Sequence, residues 1–107
     1  MRIQQLMEAH FILNETKCAI YNTLKKFRPD LNDEIERIPG RDVGASVSFL
    51  QDNNLWDDEA ERLMKMFLYR LGVFQKGPDE WSKGELRKAQ DALMCHVAKL
   101  IRQSAPD

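Results

Sequence analysis

Cysteine is scarce in this sequence. Cys18 and Cys95 are the only two in 107 residues; they are too few for a disulfide framework, and no C-x-x-C pair marks a zinc ribbon or a thioredoxin-type site. Both are expected as free thiols. Histidine is as sparse, with His10 and His96 alone. A zinc site would have to draw on these four residues across the first and last helices, and adjacent Cys95 and His96 lie about 100° apart on a helix. No metal and no cofactor are expected. No apolar run approaches the roughly 20 residues of a membrane span, and no basic, apolar, small-residue signal sequence heads the chain; a cytoplasmic protein is the expectation. G-x-S-x-G, P-loop and G-x-G-x-x-G motifs are all missing, and the pair Gly40 and Gly44 is not followed by Gly-Lys-Ser/Thr. Cys18 and His10 lie eight apart on different helical faces with no third group to orient a base, so nucleophilic catalysis is not indicated.

What is present is a chain of ordinary domain size, 43% apolar, able to bury one core as a single helical domain over residues 1–107. Charge is unevenly spread. Residues 1–29 carry five basic and two acidic side chains, residues 30–61 two and ten, residues 62–81 four and two, and residues 82–104 five and two. An acidic middle therefore lies between basic flanks.

Helical periodicity dominates. The first helix spans about Arg2 to Phe27 and stops ahead of Pro29. It carries a seam with heptad spacing, Ile3, Leu6, His10, Leu13, Lys17, Ile20, Leu24 and Phe27, and is apolar nearly all round between Phe11 and Tyr21, so it is expected to be buried on more than one side or to meet a second copy. A short helix capped by Asp30 or Asn32 runs to about Ile38 and ends at Pro39-Gly40. Residues 41–54 fit a strand by alternation or a helix capped by Asp42; helix is favoured, because a lone strand has no partner. Asp57 to Leu71 presents Ala60, Leu63, Met64, Phe67 and Leu71 on one face, with Asp58/Arg62 and Glu61/Lys65 as i,i+4 pairs, and ends at Gly72 or Gly77-Pro78. Met66, Tyr69 and Val73 form a second stripe, suited to a partner contact or to covering a loop. The last helix starts from the box Ser82-Lys83-Gly84-Glu85 with Trp81 and Leu86 as a hydrophobic staple. It buries Leu86, Ala89, Leu93, Val97, Leu100 and Ile101, with Gln90 amid that stripe. An all-α bundle of three main helices plus one or two short ones follows.

Two acidic pairs at i,i+3, Asp33/Glu36 and Asp58/Glu61, could hold magnesium over a phosphate. Over these four residues the pattern resembles the paired acidic motifs of all-α nucleotide pyrophosphohydrolases, which implies a magnesium-dependent pyrophosphohydrolase as a third reading. The second reading is a nucleic-acid-associated regulator using the basic last helix (Lys83, Arg87, Lys88, Lys99, Arg102) with Lys25, Lys26 and Arg28. Against it stand a pI of about 6.1 and the acidic middle, which repels phosphate.

The leading reading is a non-enzymatic regulatory or inhibitory protein that docks on a basic surface of another protein. Trp56 among Asp57, Asp58 and Glu59, with Phe49 and Phe74, forms the expected contact, an aromatic anchor inside a charged rim. Leu55-Trp56 could equally staple the following helix to the core. His10 and Lys17, seven residues apart, with Phe11 beside them, are expected to set register within the bundle or across a homodimer. If His10 is buried neutral there, acid should loosen the fold.

Overall fold

The computed structural model describes residues 3–39, 42–77 and 79–106. Among them the chain is all-α: α1 (Ile3–Phe27), α2 (Asn32–Glu36), α3 (Val43–Asp52), α4 (Asp58–Lys76) and α5 (Glu80–Gln103), with no strand. Pro29 cannot supply an amide, and α1 ends two residues before it. Asp42 accepts the Ala45 amide at 3.0 Å and so caps α3, which resolves the helix–strand ambiguity in favour of helix. Asn54 ends that helix in the left-handed region (φ 59°), while the Leu55 amide reaches the Leu50 carbonyl and the Asn54 amide the Gln51 carbonyl. This is a Schellman closure, and it turns Leu55 into the core against Leu50.

Three local expectations need correction. The residue before α2 is Leu31, with no side-chain cap; the Asp30 carboxylate is instead held by the Arg28 guanidinium at 3.0 Å. The flank of α4 pairs Arg62 with Glu59, not Asp58, and Glu61 takes the Trp56 indole rather than Lys65. Third, α5 begins three residues earlier than expected. The Asp79 carboxylate accepts the Ser82 amide at 2.6 Å, and the Ser82 hydroxyl accepts the Asp79 amide at 3.1 Å, so D-x-x-S closes the reciprocal box that S-x-x-E was expected to close. Trp81 consequently lies in the first turn, exposed, and not in a staple.

Cross-links give the topology. Glu15 and Thr16 meet Arg87 and Gln90, and Arg28 meets Ser104, so α1 and α5 run parallel. Asp57 meets His96 and Arg70 meets Glu85, so α4 runs antiparallel to α5. The resulting bundle measures 46 × 25 × 19 Å. Its core joins Ile12, Ile20 and Leu24 of α1 to Phe67, Leu71 and Phe74 of α4 and to Leu86, Leu93, Val97 and Ile101 of α5, with Ile35, Phe49, Leu50 and Leu55 closing one side.

The buried stripe of α1 is Ala9, Ile12, Thr16, Ile20 and Leu24. It coincides with the expected heptad seam only at its C-terminal end. A helix with 3.6 residues per turn drifts about 20° per heptad away from a 3.5-residue repeat, so at the N-terminal end Ile3, Leu6 and His10 have rotated out to solvent.

Candidate interaction surface

The aromatic part of the expected contact is largely consumed by the fold. Phe49 and Phe74 are buried in the core and present no surface. Trp56 is half-buried, and its Nε1 donates to Glu61 at 2.9 Å. Asp57 caps α4 by accepting the Ala60 amide at 2.8 Å, and it also faces His96 Nε2 at 2.8 and 3.0 Å. The Ala60 amide first and His96 second hold the Asp57 carboxyl below the usual carboxylate range; Arg62 does the same for Glu59. Asp57, Asp58 and Glu59 all remain exposed.

The residues expected to set register are also placed differently. His10 and Phe11 are exposed, and Lys17 is half-buried with its Nζ 3.3 Å from the Glu36 carbonyl. The polar contact inside the bundle belongs to Gln90. Its Nε2 donates to Glu15 at 2.8 Å and to Thr16 at 3.2 Å, and its Oε1 accepts from Arg87 at 2.8 Å. Cys18 and Cys95 are exposed thiols. Among the described residues no group of three or more His, Cys, Asp or Glu side chains is arranged to hold a metal ion, and Glu61 of the second acidic pair is engaged by Trp56.

The largest exposed apolar side chains gather elsewhere. They are Ile3, Leu6, Met7 and Phe11 in the first half of α1, Met66 at the middle of α4 with Leu68 and Tyr69 just past it, and Trp81 at the start of α5. Because α1 and α5 are parallel and α4 opposes them, all of these but the central Met66 belong to the same half of the bundle. Tyr69 and Trp81, each 64% exposed, flank Arg70: its guanidinium carbon lies 5.7 Å from the Tyr69 ring centre and 5.8 Å from that of Trp81. Glu85 Oε2 stands 3.8 Å from Arg70 Nη2 and forms an ion pair with it across to α5. Met66 and Val73 precede and follow Tyr69 by one helical turn and extend this patch along α4.

The chain matches no known protein family, curated protein or solved structure.

The patch thus stands on its own geometry. An aromatic–arginine–aromatic stack held by one carboxylate is a pre-ordered surface of the residue types that dominate binding hot spots. The Met66–Tyr69–Val73 stripe was visible in the sequence. Trp81 was not, because its exposure depends on which of two overlapping boxes starts α5.

Proposed function

We propose that the protein is a small, non-catalytic regulatory module of the cytoplasm that binds another protein through Tyr69, Arg70 and Trp81. The observation that carries this reading is the exposed stack itself. Two large aromatic side chains left in water cost free energy to the isolated protein that a partner's apolar pocket would recover, at about 25 cal/mol per Å² of apolar surface. The rim suggests the partner's charge. On the α4 side the rim carries Lys65, Arg70 and Lys76 and no acidic residue, and on the α5 side Asp79 and Glu80 stand before Trp81, so a pocket with carboxylates facing α4 and a cation facing the start of α5 complements it.

A second reading keeps the basic partner and rests on the acidic belt. Asp33, Glu34, Glu36, Asp52 and Asp58 are exposed and form no ion pair among the described residues. Here Trp56 is at most a rim contact, since its indole N–H is already satisfied. Affinity capture from native lysate separates the two. Under the first reading Tyr69→Ala with Trp81→Ala loses the protein that the wild type retains, whereas Asp33→Lys with Asp58→Lys keeps it. The opposite pattern overturns the first reading in favour of the second, and retention by both variants overturns both.

A further inference from the structure

α1 has two faces, and only one is used by the fold. Opposite its buried stripe runs Gln4, Met7, Phe11, Asn14 and Cys18, all exposed and spaced 3, 4, 3 and 4 apart, the repeat of a coiled-coil seam. Met7 and Phe11 are 66% and 61% exposed. We infer that this face is the seam of a parallel homodimer, in which α1 of one copy lies beside α1 of the other.

The charges beside the seam identify the occupant as a second copy. Glu8 and Glu15 follow Met7 and Asn14 along one flank; His10 and Lys17 precede Phe11 and Cys18 along the other. In a parallel pair each residue before a seam position meets the residue five further on in the other chain. His10 then faces Glu15 of the second copy, and Lys17 faces its Asn22. An antiparallel pair brings like flanks together, glutamate against glutamate and His10 against Lys17, and is disfavoured. Glu15 is available for this, because the Arg87 and Gln90 hydrogen bonds use its Oε1 alone. Gln4 and Asn14, the latter reaching Cys18 Sγ of its own helix at 3.9 Å, are the amides of the seam, and each stands opposite its own copy only in a parallel, in-register pair. His10 therefore lies beside a seam between copies, while Lys17 on the same flank also holds the Glu36 carbonyl within the bundle. Four turns of helix bury less than the roughly 800 Å² per partner of a standard interface, so the dimer is a weak one that depends on protein concentration.

Cys18 supplies the test. A parallel two-fold places Cys18 opposite Cys18 of the second copy, whereas an antiparallel one separates them along the axis. Treatment with diamide removes one proton and one electron from each of two thiols and joins the sulfurs, the diamide being reduced to its hydrazine. The Cys95→Ser protein is expected to cross-link to a covalent dimer, and the Cys18→Ser protein, whose Cys95 is equally a free exposed thiol, is not. In sedimentation equilibrium the reduced wild type should dimerise, and Met7→Asp with Phe11→Asp should weaken dimerisation by roughly 100-fold, as expected for loss of a central apolar anchor, with an unchanged melting temperature since both residues are exposed. A monomer at every concentration, a dimer indifferent to the double substitution, or cross-linking through Cys95 in place of Cys18 would overturn the inference. The Tyr69 and Trp81 variants lie on other helices, so either surface can fail without the other.

Discussion

Gln90 shows how a single residue sets the alignment of two helices. It is 1% exposed in the middle of an apolar stripe, and its amide is satisfied only where Thr16 and Glu15 of α1 stand opposite. Sliding α1 along α5 by one turn would leave that amide buried and unpaired, which typically costs about 1–3 kcal/mol. Gln90→Ala is accordingly expected to lower unfolding free energy by about that amount in urea titration. Combined with Thr16→Val it should cost less than the sum of the single substitutions, because the two side chains share one bond. The same network sets an acid limit. The Gln90 amide first, with Arg87 assisting, holds the Glu15 carboxyl below its ordinary value against a smaller opposing effect of burial. Asp57 and Asp79, which accept helix-capping amides, are lowered too. Groups depressed in the folded state stabilise it fully above their unfolded pKa, and the contribution disappears as pH falls through the folded value. Melting temperature should therefore hold from pH 7 to about pH 5 and fall below about pH 4, and Gln90→Leu should shrink the fall. The acid loosening above pH 5 expected of a buried His10 has no basis here, since His10 is exposed.

At the scale of elements, helix existence and type were legible in the sequence, because apolar periodicity and proline carry them directly. The stop of α1 before Pro29, the Asp42 cap of α3 and the face of α4 all follow from local chemistry. Boundaries were less so. Ser82-x-x-Glu85 carries the usual capping-box pattern, but Asp79 is an equally good capping residue three positions earlier, and the reciprocal Asp79–Ser82 hydrogen bonds decide between them. That three-residue difference moves Trp81 from a structural staple to the most prominent side chain of the candidate site. Gly84 is the fifth residue of α5, past its first turn, with no atom within 4 Å of where a Cβ would stand. Gly84→Ala should raise stability by about 1 kcal/mol through helix propensity alone, readable as a higher urea midpoint with an unchanged slope. A lower midpoint would mean that α5 starts beyond Gly84.

At the scale of the whole molecule the sequence says least. Periodicity names the apolar faces but not which face meets which, and α1, apolar on nearly every side, admits several arrangements. The parallel α1–α5 pairing depends on contacts more than 70 residues apart, beyond the reach of local patterns. For the same reason Phe49 and Phe74, plausible as surface aromatics beside an acidic block, are core residues, while Tyr69, Arg70 and Trp81 assemble only once α4 and α5 are antiparallel. The proposed anchor for a protein partner is this assembled stack, not Trp56. Its most direct test is the dissociation constant of the captured partner for wild type and for Tyr69→Ala with Trp81→Ala, measured by titration calorimetry. The expected result is at least a 100-fold weakening, about 2.7 kcal/mol, with folding intact and with Trp56→Ala nearly neutral. A double variant that binds as the wild type does, or a Trp56→Ala that carries the loss, would contradict it.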